Sequence, residues 1–126
     1  MNNDIESIFV KSFVQKSKRE RTIYELNHKS KRYSCIRNLE FTIPREYMFF
    51  PNLSSDSSDM CNYLKSNRIP DICYVMSLNT TYDGNFYKID DIFNTEIIKY
   101  IHCILCIPDK LVYLIGEGPR GIVISK

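Results

Sequence analysis

Apolar residues in the first 39 positions recur with the spacing of a helix. Ile5, Ile8, Phe9 and Phe13 lie three or four residues apart, so they would form one stripe on a helix of about 3.6 residues per turn. The stripe predicts an amphipathic helix near the start of the chain, with its apolar side facing a core.

Two more helices are predicted in the same part of the chain. Ser17 and Glu20 have the spacing of a capping box, which predicts a helix that starts at Ser17. Ser30 is a candidate cap for a third helix, on which Ile36 and Leu39 lie one turn apart on the inner side. This part of the chain is therefore expected to form a sub-bundle of short helices.

Short apolar runs separated by turn residues follow Pro70. These runs predict up to four strands, at residues 72–76, 97–107, 111–115 and 122–124. The last three are joined by connections too short for a crossover helix, so they should be antiparallel neighbours. The pattern predicts a single α+β domain over residues 1–126: an N-terminal helical sub-bundle (residues 1–39) followed by a C-terminal antiparallel sheet of three to four strands (residues 70–126).

Composition and charge exclude several classes of protein. The 126 residues are 44% hydrophobic and 25% charged, which is ordinary for a globular domain and unlike a disordered tail or a coiled-coil rod. The net charge of +2 is unevenly distributed: residues 11–45 carry ten basic and three acidic residues, whereas residues 46–126 carry seven basic and ten acidic ones. The basic segment suggests nucleic-acid binding, but a pI of 8.2 is low for a dedicated nucleic-acid-binding protein.

The sequence carries no recognisable export or membrane signal. Its N-terminus lacks both the basic start and the uninterrupted apolar stretch of a signal peptide. The most apolar segment, residues 97–115, is interrupted by charged residues and cannot span a bilayer. Five cysteines, an odd number, favour reduced thiols over a disulfide framework. We therefore expect a cytoplasmic protein without a membrane partner.

Motifs for catalysis or metal binding are weak. Cys103 and Cys106 form a CxxC pair, but the alternation of a strand directs them to opposite faces, and no second ligand pair completes a zinc site. Asp90 and Asp91 are adjacent and would point in different directions on a helix. The glycine-rich run at residues 116–121 leads into a strand rather than into the helix that cradles phosphate. We predict no enzymatic activity, no metal and no cofactor.

Two arginines are predicted to face inward. On helices with about 100° per residue, Arg19 falls on the same arc as Ile23, and Arg32 lies close to the direction of Ile36. A buried charge is very costly unless it is paired, so each arginine needs carboxylates or carbonyls. One interpretation is a structural ion pair with an acid such as Glu117. The other is a pocket for an anion or a partner, because a guanidinium binds carboxylate and phosphate as a fork.

Several short motifs occur in a distinctive order. They are Lys18-Arg19-Glu20-Arg21, Lys31-Arg32, Ile36-x-x-Leu39, Pro70-Asp71, Cys73 to Ser77, Asp83-Gly84, and Cys106-Ile107-Pro108-x-Lys110-Leu111-x-Tyr113 with Glu117. Together they resemble a family of small bacterial proteins similar to the immunity proteins of toxin–immunity systems, such as contact-dependent inhibition. The resemblance implies a non-enzymatic cytoplasmic protein that binds and neutralises a cognate toxin. It also implies that Arg19 and Arg32 are recurring basic positions.

Residues 40–69 have no counterpart in that resemblance, and immunity proteins usually vary where they contact the toxin. The resemblance therefore implies a partner surface around this stretch, formed by Asp56, Asp59, Asp90, Asp91 and Glu96. An acidic face would complement the basic cleft of a nuclease toxin and speed association. Two alternatives remain: these acids only cap helices and face solvent, or the chain is an RNA- or anion-binding module that uses the basic helices of residues 11–45.

Overall fold

Five α-helices and six β-strands make up the described part of the chain. The computed structural model describes residues 2–51, 53, 57–115 and 121–126. The helices are α1 (Asn3–Phe13), α2 (Arg19–Leu26), α3 (Lys29–Arg37), α4 (Ser57–Lys65) and α5 (Ile89–Asn94). The strands are β1 (Met48–Phe49), β2 (Ile72–Ser77), β3 (Phe86–Lys88), β4 (Ile101–Ile107), β5 (Leu111–Leu114) and β6 (Ile122–Ser125). None of the described helices combines the length and the apolar character needed to cross a membrane.

Helix α1 begins at a side-chain cap and buries a charged residue. The Asn2 side chain accepts a hydrogen bond of 3.1 Å from the backbone N–H three residues along, which satisfies one of the free amides of the first turn. Phe9 and Phe13 are fully buried, as their spacing predicts, but Ile8 is 46% exposed. Glu6 lies on the buried side instead and is only 2% exposed. The inner stripe of α1 therefore carries a carboxylate as well as apolar side chains.

Helices α2 and α3 begin at positions other than the predicted caps. The capping box at Ser17 does not form, because Lys16–Lys18 make a 3-10 turn and Lys18 takes the N-cap position. Helix α3 has His28 at its N-cap, two residues before the predicted Ser30. Neither N-cap residue makes a side-chain hydrogen bond to its helix. These short helices therefore depend on tertiary packing for their stability.

All six described strands belong to one antiparallel sheet with the order β1-β6-β5-β4-β2-β3. The predicted α+β class is confirmed, but the predicted number of three to four strands was too low. The two strands that were missed, β1 and β3, are edge strands of two and three residues, too short to display alternation. The strand predicted over residues 97–107 starts at Ile101, because Glu96–Tyr100 form a 3-10 turn.

Side chains of the sheet alternate between two apolar cores, one on each face. In β4, Cys103 and Leu105 enter the first core, whereas Ile104 and Cys106 enter the second. The first core is covered by α1, α2 and α3, and the second by α4, α5 and the 3-10 turn before β4. The molecule therefore has three layers. Only α1–α3 form the predicted N-terminal sub-bundle, and the later helices cover the opposite face.

Local geometry favours glycine at two described positions. Gly121 lies against the ring of Tyr113, and any side chain at this position would collide with that ring. The rest of the glycine-rich run, residues 116–120, lies outside the described residues. Gly84, in the turn between β2 and β3, has a φ of 77° and donates its N–H to the Val75 carbonyl at 3.0 Å. A positive φ of this kind strains residues that carry a Cβ atom.

We expect Gly84→Ala to lower the free energy of unfolding by about 1–2 kcal/mol, because an L-residue in the left-handed region carries a penalty of that size. Urea denaturation followed by circular dichroism measures the change. Gly84→Asn should cost less, because asparagine tolerates this conformation better than alanine. A Gly84→Ala protein as stable as the wild type would contradict the assigned turn.

Candidate functional site

Arg32 lies at the centre of a buried ion cluster and is only 5% exposed. Its Nε and Nη2 atoms donate to the Asp83 carboxylate at 2.6 and 2.9 Å. Its Nη1 and Nη2 atoms donate to the Glu6 carboxylate at 2.6 and 2.7 Å, and Nη1 also donates to the Leu26 carbonyl at 3.0 Å. A guanidinium has five N–H groups, so every donor of Arg32 has a partner inside the protein.

Further donors offset the excess negative charge of the cluster, which holds two carboxylates against one guanidinium. The Tyr74 hydroxyl donates to Glu6, and the Ser77 backbone N–H donates to Asp83 at 3.1 Å. Burial opposes the charge on Arg32, but the hydrogen bonds and charges of Asp83 and Glu6 outweigh it and raise the pKa of the guanidinium. Burial also raises the pKa of the Tyr74 hydroxyl, which therefore remains a donor at neutral pH.

The two inward-facing arginines stabilise different parts of α1. Arg32 has no N–H group left for an added anion, which favours a structural ion pair over an anion pocket at this residue. The acids that it binds are Glu6 and Asp83, while Glu117 lies outside the described residues. Arg19 is half-buried, and its Nε donates to the Val14 carbonyl at 2.9 Å. Val14 is the C-cap of α1, where a positive charge is favourable.

Asp90 joins α5 to α4. Its carboxylate accepts hydrogen bonds from Lys65 Nζ at 2.9 and 3.2 Å, and the Cys61 thiol donates to it at 3.7 Å. The hydrogen bond from Lys65 is the main cause of a lowered pKa at Asp90. Asp90 is therefore already paired within the protein, and Lys65 neutralises much of its charge.

The other predicted acids lie in the same layer. Asp91 in α5 and Glu96 in the following 3-10 turn are exposed. Asp59 is partly buried in the first turn of α4 and already has an interaction within the chain. Asp56 lies outside the described residues. Because α4 packs against α5, acids from two distant stretches of the sequence share one side of the sheet.

The sheet separates two layers of unlike charge. Residues 3–37, which contain α1–α3, carry nine basic and four acidic residues. On the opposite face, α4, α5 and the 3-10 turn before β4 together carry four acidic and two basic residues. The uneven distribution along the sequence thus becomes an uneven distribution between the two faces of the molecule.

All five cysteines are core residues. All five thiols are buried, and Cys103 and Cys106 lie in different cores. Burial raises the pKa of Cys35 to about 12, so this thiol stays protonated at neutral pH. Within the described ranges, no three histidine, cysteine or acidic side chains are grouped so that they could hold a metal ion.

An open groove of about 600 Å³ lies between Tyr33 of α3 and the start of β4. Its lining includes Tyr33, Lys99, Tyr100 and the buried His102. An adjoining pocket of about 280 Å³ shares Tyr33 and includes Lys29. Exposed aromatic rings beside lysines are the combination with which proteins stack bases and bind phosphates.

No family model, no curated protein and no solved structure matches this chain.

The two acids of the ion cluster are the site residues that the sequence interpretation missed. Glu6 precedes Phe9 and Phe13 by three and seven residues, so its place on the buried stripe is visible in the helical spacing. Asp83 was noted only as part of the motif Asp83-Gly84, and no local signal shows that this motif meets Arg32, 51 residues away. The pairing becomes visible only in the folded chain.

We expect Arg32→Met to lower the free energy of unfolding by about 3–5 kcal/mol, because it leaves two buried carboxylates without their cation. Arg21→Met is the matched control. Arg21 pairs with Glu25 on the surface of α2, its side chain is 82% exposed, and its loss should cost at most about 1 kcal/mol. Urea denaturation measures both. The anion-pocket interpretation would be supported instead if both variants lost the same unfolding free energy. It would also be supported if phosphate stabilised the wild type but not Arg32→Met.

Tyr74 should make the protein sensitive to alkali. The pKa of Tyr74 in the folded protein lies above the ordinary value of about 10. The protonated hydroxyl therefore makes its full contribution to the free energy of unfolding below pH 10. Above pH 10 this contribution declines, by up to about 1.4 kcal/mol per pH unit. Tyr74→Phe should be less stable than the wild type at pH 8, and the difference should shrink above pH 10. Urea midpoints between pH 8 and 11 measure this, with the exposed Tyr33→Phe as the control. If the urea midpoints of the wild type and Tyr74→Phe changed in parallel with pH, the predicted role of the Tyr74 hydroxyl would be wrong.

Proposed function

We propose that this chain is a non-enzymatic interaction protein that binds and neutralises a cognate bacterial toxin, as an immunity protein does. The observation that carries the proposal is the packing of α4 against α5, which gathers Asp59, Asp91 and Glu96 in one layer on the face opposite the basic helices. The resemblance of the sequence motifs to immunity-type proteins agrees with this assignment.

The chemistry of the acidic layer suits a basic partner, such as the cleft of a nuclease. Exposed carboxylates on one face attract a positively charged surface and orient it before contact, which raises the association rate more than it changes the final affinity. Asp90 should contribute less, because it already binds Lys65. We therefore assign the main electrostatic role to Asp91 and Glu96.

The layer is also suited to binding because it is held rigidly. Leu64 of α4 and Ile92 of α5 are fully buried in the second core. The contact between Lys65 and Asp90 joins the two helices at the surface. A preorganised surface loses little conformational freedom when it binds, so more of the interaction energy appears as affinity.

The test uses the polypeptide encoded immediately upstream of the gene for this chain. We expect the variant Asp59→Lys/Asp91→Lys/Glu96→Lys to bind it about 100-fold more weakly than the wild type at low salt, mainly through slower association. The same variant should fail to protect cells that express the toxin. Surface plasmon resonance at two salt concentrations gives the rates, and a growth assay gives the protection.

The control reverses charge on the other face, with Lys16→Glu/Lys18→Glu/Arg21→Glu. This variant should bind the toxin about as well as the wild type. If the control loses binding and the acid variant keeps it, the interface lies on the basic helices. If neither variant binds differently, charge complementarity does not drive the interaction.

The groove beside α3 favours one second candidate, an RNA- or anion-binding module. Tyr33 and Lys29 lie within the basic segment of residues 11–45, and both line the groove or its adjoining pocket. Lys29→Glu/Tyr33→Ala should then weaken binding of a fluorescent single-stranded RNA, and wild-type affinity should fall linearly with the logarithm of salt concentration. RNA affinity that is unchanged by this variant would remove the second candidate.

A further inference from the structure

Cys73 and Cys106 lie side by side in the second core, although 33 positions separate them in the sequence. Strands β2 and β4 pair Tyr74 with Leu105, and the two cysteines occupy the next positions outward. Both residues are buried, with exposures of 1% and 2%, and the Cys73 thiol donates a hydrogen bond to the Pro70 carbonyl at 3.6 Å. Opposed residues of antiparallel strands have Cα atoms about 4.5–5.5 Å apart, within the range of about 4.4–6.8 Å that a disulfide spans.

The other three thiols are directed elsewhere. Cys103 is three residues from Cys106 but enters the first core on the opposite face, and Cys35 also belongs to that core. Cys61 shares the second core, but it lies on α4 and donates its thiol hydrogen to Asp90. The fold therefore selects one pair of cysteines that the CxxC spacing does not reveal.

We propose that Cys73 and Cys106 are a modification site at which hydrogen peroxide produces a reversible disulfide. The sulfur of Cys73 attacks one peroxide oxygen, the O–O bond breaks, and the departing hydroxide takes up the Cys73 proton and leaves as the first water, so that Cys73 becomes a sulfenic acid. The sulfur of Cys106 then attacks the Cys73 sulfur, the S–O bond breaks, and the hydroxyl leaves with the Cys106 proton as the second water. In total, two thiols and one peroxide give one disulfide and two waters, with two electrons passing from sulfur to oxygen.

The environment of the pair supports this division of roles. The neighbouring Cys106 lowers the pKa of Cys73, while the same contact and burial raise the pKa of Cys106. These directions agree with Cys73 as the first sulfur to react, and the position of Cys73 in β2 carries that assignment. Cys73 also follows Ile72, which is 52% exposed, so it lies at the outer end of the buried part of β2. A brief opening of this end admits the small oxidant.

The disulfide would enclose residues 74–105, which include β3, α5 and the 3-10 turn before β4. It would therefore fasten the segment that carries Asp91 and Glu96 to the centre of the sheet. A cross-link that closes a loop restricts the unfolded chain and so stabilises the folded one. This inference does not rest on the proposed toxin binding and can be tested without a partner.

The test treats the full chain with hydrogen peroxide and counts free thiols in denaturant. We expect two of the five thiols to be lost, no disulfide to form between chains, and a dithiol reductant to restore all five. Trypsin should release a cross-linked pair of peptides, residues 69–88 joined to residues 100–110. Because Cys103 shares the second peptide, the Cys103→Ala variant is used to assign the bond.

Two further variants complete the design. Cys73→Ala should lose no pair of thiols to an intramolecular disulfide, whereas Cys61→Ala should lose two, as the wild type does. If Cys73→Ala does not fold, the peptide map of Cys103→Ala decides alone. A disulfide that involves Cys61 or Cys103, oxidation of Cys73 to its sulfinic acid without a cross-link, or five free thiols after treatment would each overturn the proposal.

Discussion

The saturation of a single buried guanidinium is the constraint on which the first core depends. Arg32 of α3 donates five hydrogen bonds to three other parts of the chain. The acceptors are Glu6 in α1, the Leu26 carbonyl at the end of α2, and Asp83 in the β2–β3 turn. Breaking one partner leaves a buried charge, which is far more costly than losing a surface ion pair. The three N-terminal helices are therefore fixed to the sheet by directional contacts, while Phe9 and Phe13 supply non-directional apolar burial.

The sheet acts as a partition as well as a scaffold. Its side chains alternate between two apolar cores. The first core packs against the basic helices α1–α3, and the second packs against the acidic layer of α4 and α5. The ionic contacts also differ between the layers. The contact between Arg32 and its acids is buried, whereas Lys65 and Asp90 form an exposed pair that screening by salt weakens. Consequently a buried ion cluster helps to hold the basic helices α1–α3 in place. The acidic helices α4 and α5 are held mainly by apolar packing, because their ion pair is exposed.

Helical spacing and turn chemistry predicted much of this fold, and the errors have physical causes. The stripe of Phe9 and Phe13 and the apolar runs of β2, β5 and β6 were identified because burial imposes a period on them. The edge strands β1 and β3 were missed because two or three residues are too few to show the alternation of apolar and polar positions. Neither the partners of Arg32 nor the Cys73–Cys106 pair could be predicted, because these contacts join residues distant in sequence and depend on strand order.

The ion cluster also explains why polar residues occupy positions where apolar ones would pack. The hydrophobic effect sets no angle between α1, α3 and the β2–β3 turn, because the free energy of burial depends on area rather than on direction. Two bidentate carboxylate forks on one planar guanidinium do set such angles, since each fork fixes an angle as well as a distance. The Tyr74 hydroxyl fixes the orientation of α1 relative to β2 in the same way. It donates to Glu6 and accepts from the Asn2 backbone N–H at 2.9 Å. The cluster therefore contributes orientation, and the two cores contribute most of the stabilising burial.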